Sequence, residues 1–521
     1  MRICLSFAGL WLLMIPSLLL AGTTGRVTGL ISSSENGEAI AGANVVLMNT
    51  TLGAAADING TYLVTNVPAG TYNLRVSSMG YKTIEVSDVV IHADLQASYN
   101  FQMDISAIEG EVVTIVAERP LVEIDKTSSV QIVDSYELQE LPVRGYTEII
   151  KIQSGVQSYN YNSATSGRSY NENTNGPRLS IRGSRADEIM FNVDGVSLND
   201  PFSGLITMRV PDLAWNEFTF LKGNFSSEYG RFMSGVVNWT MNTGKEDYHF
   251  DAEMTTDQIA DEEHSYEQNK VGFALSGPFI PGNNKYKFFT AYEHGDYGDR
   301  SPSWIDRGVK EGNSSAWDSF YGKITTNLTD NIRFDLGVLY SIDEWNEFRQ
   351  SWIYNTEHLP YYEDKNSVYY ARMNHAVSAD LNYTLTYNYT EISRFRGDNT
   401  YRKNIWDYGT GLKDDYDASL LYHIPGGEYE SYMNRNTSYH GLRADVSKMI
   451  GSDHDIRAGF ETQIYSLRYY ENLDPNLFIL GSDGEFSPAA LKNINNFGYD
   501  IYGDESDAGG EIGRASCRER V

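Results

Sequence analysis

Leu381-Asn-Tyr-Thr-Leu-Thr-Tyr-Asn-Tyr-Thr390 alternates without a break, with Leu381, Tyr383, Leu385, Tyr387 and Tyr389 against Asn382, Thr384, Thr386, Asn388 and Thr390. A β-strand turns successive side chains to opposite faces, so this stretch reads as a strand with one apolar and one hydrogen-bonding face. Asn331 to Ser341 repeats the pattern: Ile332, Phe334, Leu336, Val338 and Tyr340 oppose Arg333, Asp335, Gly337 and Ser341. By the same pattern, nine strands are expected near 246–256, 269–278, 285–294, 316–327, 332–341, 369–377, 381–391, 437–448 and 455–466. Their connections alternate longer and shorter: 257–268 then 279–284, 295–315 then 328–331, 342–368 then 378–380, and 392–436 then 449–454. An outer-membrane barrel shows that rhythm, with short turns at one rim and long loops at the other, and its strands carry one face for lipid. In lipid each unpaired edge group costs several kcal/mol, so these strands are expected to be the first part of a large antiparallel transmembrane β-barrel.

The bulk numbers agree with an exported, β-dominated chain. Arg2, the apolar run Leu5 to Leu20 and the small pair Ala21-Gly22 read as a signal peptide over 1–22. Ser6, Pro16 and Ser17 interrupt that run, which disfavours a membrane anchor, and no later stretch reaches the ~18 apolar residues of a spanning helix. The two cysteines, Cys4 and Cys517, lie near opposite ends, which leaves no disulfide framework. A formal charge of −29 argues against a nucleic-acid partner. The 37 tyrosines and 46 glycines suit strands flanked by aromatic girdles.

No catalytic chemistry is legible. The nine histidines show no His-Glu-x-x-His spacing, and there is no P-loop, Gly-x-Ser-x-Gly elbow or Cys-x-x-Cys. Neither an enzyme nor a cofactor is expected. Ser482-Asp-Gly-Glu485 and Asp414-Asp415 could touch Ca²⁺, but solvated loop acids are the plainer reading, and no metal site is expected. Trp345, Trp352, Tyr354, Tyr361, Tyr362 and Trp406 fall in the expected outer loops, where they could stack on a solute or pack beside the membrane belt.

Two units precede the barrel. From 23 to 104, short alternating runs such as Asn44-Val-Val-Leu-Met48 and Tyr72-Asn-Leu-Arg-Val76 are separated by Asn36-Gly37, Asn59-Gly60 and Pro68-Ala-Gly70, a small Ig-like β-sandwich of about seven strands. Gly25-Arg-Val-Thr-Gly29, Ile40-Ala-Gly-Ala-Asn-Val45, Asp57-Ile-Asn-Gly-Thr-Tyr62 and Val67-Pro-Ala-Gly-Thr-Tyr72 resemble the carboxypeptidase regulatory-like domain, a module that implies no peptidase activity. A connector follows over 105–120. It is rich in β-branched residues and lies between two domains, so its backbone groups are open to strand addition by another protein, or it is an interdomain strand that pairs internally. Over 121–245, short strands and turns alternate, with possible helices near Ser135 to Glu140 and Tyr146 to Ile152, an α+β pattern.

Five blocks in that last unit occur in a telling order: Arg178-Leu-Ser-Ile-Arg-Gly-Ser184, Phe191-Asn-Val-Asp-Gly-Val-Ser-Leu-Asn-Asp-Pro201, Phe220-Leu-Lys-Gly223, Glu228-Tyr-Gly230 and Ser234-Gly-Val-Val-Asn238. They resemble the plug of TonB-dependent outer-membrane receptors. The resemblance marks Arg182, Gly183, Asp194, Gly195, Asp200, Lys222, Gly223, Glu228, Tyr229, Gly230 and Gly235 as plug-motif residues. Arg182 and Glu228 could form a buried charge pair between plug and barrel wall, and Asp194-Gly195 between apolar runs signals a hairpin. Arg231-Phe232-Met233 depart from the small residues the family places after its Tyr-Gly. The connector window Glu111, Val112, Val113, Thr114, Ile115, Val116, Ala117 resembles a TonB box.

The resemblance implies TonB-dependent import of a scarce solute across a bacterial outer membrane, energised by TonB with ExbB and ExbD. Plugged transporters need about 22 strands, so the barrel over 246–510 is expected to be partial. A ferric chelate or cobalamin competes with a glycan or peptide taken up beneath a surface lipoprotein. A non-transporting surface or adhesion protein is the reading from another class. The last eleven residues, Glu511 to Val521, change character, and a back-translation of them resembles a sequencing adapter, so the natural reading frame is expected to leave this one near Gly510.

Overall fold

The computed structural model describes residues 24–48, 50, 52–68, 70–92, 96–105, 112–116, 130–134, 137, 145–159, 178–223, 233–259, 265–299, 309, 311–329, 331–378, 381–408, 422–429, 431–450, 454–473 and 493–506. The expected signal peptide and the expected adapter-like tail 511–521 lie outside them.

The first unit is a two-sheet sandwich of β1 (Thr24–Ser33), β2 (Asn44–Leu47), β3 (Gly53–Ala55), β4 (Thr61–Pro68), β5 (Gly70–Ser77), β6 (Thr83–Ile91), β7 (Gln96–Ser98) and β8 (Phe101–Met103). In one sheet β1 pairs antiparallel with β4 and parallel with β7 and β8; in the other β2, β3, β5 and β6 pair antiparallel. Alternate residues Val27, Ile31, Val45, Leu47, Leu74, Val76 and Val86 bury the core. The Asn59-Gly60 turn is tied by Asp57, whose Oδ1 accepts the Asn59 and Thr61 amides at 2.9 and 2.8 Å. Gly60 has φ 78°, and a Cβ there would lie 2.5 Å from the Ile31 carbonyl, so both backbone and space require glycine.

The connector is not a lone strand. β9 (Val112–Val116) adds in parallel to the edge of β6, in register from Thr83↔Val112 to Ser87↔Val116. Of the two readings of the connector, internal pairing holds for Val112–Val116, for a physical reason: β6 offers an unpaired ladder of backbone groups close in sequence, and a β-branched segment satisfies its own groups by pairing there.

The plug contains β10 (Val130–Asp134), α1 (Tyr146–Lys151), β11 (Val156–Tyr159), β12 (Arg178–Ile181), β13 (Ile189–Val193), β14 (Val196–Ser197), β15 (Trp215–Leu221) and β16 (Gly235–Met241). Its main sheet runs β10-β15-β16-β13-β14, with β13 and β16 parallel, and β11-β12 form a separate ribbon. The helix expected at 146–152 forms and buries Ile149 and Ile150. Tyr146 meets Trp239 edge-on at 5.5 Å. The one expected at 135–140 falls almost wholly outside the described residues.

The barrel part is one antiparallel sheet in sequence order: β17 (His249–Thr256), β18 (Gln268–Ile280), β19 (Asn283–Tyr297), β20 (Ser315–Thr329), β21 (Ile332–Asn346), β22 (Pro360–Ser378), β23 (Leu381–Asp398), β24 (Tyr432–Ile450), β25 (His454–Asn472) and β26 (Ile494–Phe497). All nine expected strands are present, and the tenth, β26, is too short to show alternation. Several strands run further than expected. The presumed loop 342–368 shrinks to 347–359, because the β21·β22 ladder continues through Trp345↔Tyr362 and Asn346↔Tyr361.

Burial separates the two faces of the sheet. Asn382, Thr386, Asn388 and Thr390 are buried, while Leu385 and Tyr387 on the opposite face are 39% and 45% exposed. A protein in water would invert this. Here the hydrogen-bonding face looks onto the plug and the apolar face looks outward, as a barrel wall in lipid requires.

Candidate functional site

The plug meets the barrel wall through charged and hydrogen-bonding side chains from 194 to 212. Asp194 and Gly195, with φ 46° and 78°, form the expected hairpin between β13 and β14. The turn aims the Asp194 carboxylate at the wall. Its Oδ2 accepts hydrogen bonds from Lys323 Nζ at 2.8 Å, Tyr370 at 2.6 Å and Tyr321 at 3.1 Å, and its Oδ1 accepts the Met241 amide at 3.0 Å. Burial pushes this carboxyl up, but the Lys323 and Arg372 charges and the hydrogen bonds from Lys323 and Tyr370 outweigh it and hold the group below the usual carboxylate range.

Further along, Asp200 accepts a 2.7 Å hydrogen bond from Arg435, with both side chains fully buried. The Arg435 guanidinium also lies 4.7 Å over the Phe202 ring, which stacks on Tyr469 at 5.5 Å. Arg209 donates to Asp343 at 2.8 Å and lies 4.3 Å over Trp317. Lys270 reaches from β18 to Asp212 at 2.6 Å and Glu293 at 3.5 Å. Asp194, Asp200, Arg209 and Asp212 thus each join the plug to a different part of the wall, through Lys323, Arg435, Asp343 and Lys270, so together they set the rotation of the plug against the sheet.

The other plug-motif residues do separate work. Arg182 and Gly183 form a turn after β12, with φ 53° and 83°. Lys222 hydrogen-bonds Gln131 at 3.0 Å and Ser154 at 3.3 Å. Burial, and then the Arg182 charge, lower its ammonium below the ordinary value. A Cβ on Gly223 would come within 3.1 Å of the Arg182 guanidinium, and one on Gly235 within 2.5 Å of Ile181 Cδ1. Glu228, Tyr229 and Gly230 lie outside the described residues, and with them the expected Arg182 pair. So do Glu111, Ala117, Asp414-Asp415 and Ser482 to Glu485.

The six outer aromatics divide. Trp345, Tyr361 and Tyr362 stand on strands β21 and β22 rather than in a loop, and with Trp352 they are buried. Trp345 stacks on Tyr362 at 5.0 Å, and Trp352 on His423 at 4.0 Å. Tyr354 and Trp406 remain 64% and 53% exposed. Sequence reading did not find Lys323, Tyr321, Tyr370, Asp343 or Arg435. Charges and phenols on the polar side of an alternating strand are the signal that could have raised them, although alternation cannot supply their partners.

The sandwich also touches the plug: His92 Nδ1 lies 2.8 Å from Glu217 Oε2 on β15. Among the described residues no group of three or more His, Cys, Asp or Glu is arranged to hold a metal.

Residues 27–115 match the CarboxypepD_reg-like domain family, ending inside β9, and residues 123–237 match the TonB-dependent Receptor Plug Domain family. The TonB-dependent transporter Oar of Myxococcus xanthus is 25% identical over 203 residues, 37% of this chain and 18% of that protein. The probable TonB-dependent siderophore receptor PirA of Acinetobacter baumannii is 25% identical over 210 residues, 38% of this chain and 26% of that protein. The matched region thus spans only about a fifth to a quarter of these relatives' length. The crystal structure of the siderophore receptor PirA from Acinetobacter baumannii superposes with a TM-score of 0.48 at 15% identity, covering 71% of this chain and 53% of that one.

Proposed function

From the premise that this chain carries a TonB-dependent receptor plug against the polar face of an antiparallel barrel wall, we propose that the complete protein imports a scarce solute across the outer membrane of a Gram-negative-type bacterium. The observation that carries this reading is the set of plug-to-wall contacts from Asp194 to Asp212. They hold the plug in one orientation through groups that water can replace, at a net ~0.5–1.5 kcal/mol per neutral hydrogen bond and more for charged ones. A plug so held blocks the lumen at rest and can be displaced by a pull.

The outer membrane has no energy source of its own, so the pull is supplied from the inner membrane. TonB, driven through ExbB and ExbD, captures residues 111–117 on the periplasmic side, where the sandwich and the entry to the plug also lie. On this reading the side of the wall where β19 joins β20, β21 joins β22 and β23 joins β24 is the outer one and, with the plug segment around Phe202, receives the solute. Exposed Tyr354 and Trp406 suit a solute with a planar face, whether a sugar ring or an aromatic chelate.

Deleting residues 111–117 from the complete protein tests this reading. Accumulation of the solute inside the outer membrane should stop while surface binding persists. Unchanged uptake would sink the transport reading and favour a surface protein that reuses the architecture.

A further inference from the structure

The candidate TonB box is neither free nor hidden: β9 is the terminal strand of the sheet β3-β2-β5-β6-β9, paired with β6 on one side and, among the described residues, with no strand on the other. We infer that the sandwich is a presentation platform for TonB, whose captured strand adds to the outer edge of β9 and extends this sheet to a sixth strand while the β6·β9 ladder stays intact. The inference rests on the reading of residues 111–117 as the segment TonB captures.

Three observations carry it. The five residues Val112–Val116 already have an extended backbone in register with Thr83–Ser87, so a partner strand meets an ordered edge and does not have to order a flexible segment first. The platform is anchored, since His92, the residue after β6, lies 2.8 Å from Glu217 of the plug. The chain around β9 is acidic, with Asp104, Glu109, Glu111 and Glu118 against Arg119, which selects a strand with basic flanks.

The alternative is strand exchange, in which β9 must leave β6 before TonB can hold it, and the two mechanisms respond oppositely to a tether. Neighbouring strands lie about 4.8 Å apart, inside the roughly 4.4–6.8 Å that a disulfide tolerates between Cα atoms. Thr83→Cys with Val112→Cys, introduced into the complete protein, therefore locks β6 to β9. Binding of the soluble periplasmic domain of TonB is then measured in detergent, oxidised and reduced, with bridge formation checked by mass. Platform binding predicts affinities within about threefold of the parent in both states. Hydrogen exchange of the parent complex should also show amides 83–87 still protected. A tenfold or greater loss when oxidised, restored by reduction, or loss of that protection in the complex, would overturn the platform. If the parent itself does not bind the TonB domain, the reading of 111–117 fails and the platform with it.

Discussion

Lys323 on the barrel wall and Asp194 on the plug are 129 residues apart in sequence and 2.8 Å apart in space, both buried, with Tyr321 and Tyr370 donating to the same carboxylate. Asp194→Asn keeps a residue that tolerates the left-handed turn and removes only the charge. It leaves Lys323 buried without its anion, a loss of ~3–5 kcal/mol by the behaviour of broken buried pairs. In the complete protein, amides 189–197 should exchange about a hundredfold faster or more. Exchange at the parental rate would show that the carboxylate does not hold the plug.

The Asp200–Arg435 pair should be strongly non-additive. Asp200→Ala alone removes the hydrogen-bonded carboxylate from a fully buried guanidinium and should cost ~3–5 kcal/mol. Adding Arg435→Met removes that buried charge and should recover part of the loss. Thermal melts of the two single variants and the double variant read the coupling, and simple addition of the two losses would count against it.

The outer loops should loosen as pH rises. His358 lies 2.8 Å from Asp398 Oδ2, and the same carboxylate accepts the Thr400 and Tyr429 amides at 2.8 and 2.9 Å. The Asp398 hydrogen bond, against some opposing desolvation, raises the His358 imidazole above its ordinary value. A raised folded value gives stabilisation that is complete below the unfolded pKa of about 6.5 and is lost as pH climbs through the folded one. Proteolysis of the 399–408 segment should therefore be slower at pH 6 than at pH 9, and His358→Gln should flatten that difference. The Asp194 contribution has the opposite sign. It is present above the ordinary carboxylate range and lost in acid.

Gly235→Ala should destabilise the plug by ~1–3 kcal/mol through overpacking, since the new methyl would lie 2.5 Å from Ile181 Cδ1 and 3.2 Å from the Leu221 carbonyl. Combining it with Ile181→Val, which removes the crowded methyl, should restore part of the melting temperature. No restoration would place the strain at the carbonyl instead.

The buried and exposed outer aromatics should part company. Trp345→Ala and Tyr362→Ala break a stacked, buried pair and should cost ~3–5 kcal/mol of stability. Tyr354→Ala and Trp406→Ala should leave the melting temperature within about a degree and weaken solute binding in a titration of the complete protein. Weakened binding only in the first pair would move the solute away from the loop tips.

Local rules carried much of this protein. Alternation at 381–390 and its neighbours, read with alternating longer and shorter gaps, placed nine wall strands in order, because period-2 side-chain placement is a property of the extended chain itself. Asp194-Gly195 announced its own hairpin, because only such pairs accept two positive φ values in succession. Partners were beyond reach of any such rule. Alternation marks Lys323 as inward-facing but cannot say that Asp194 waits there, and it read Trp345, Tyr361 and Tyr362 as loop residues because nothing local shows that a ladder continues. The connector makes the same point. Its β-branched run set an extended backbone, and only the open edge of β6, exposed once the sandwich had folded, decided which strand it would join.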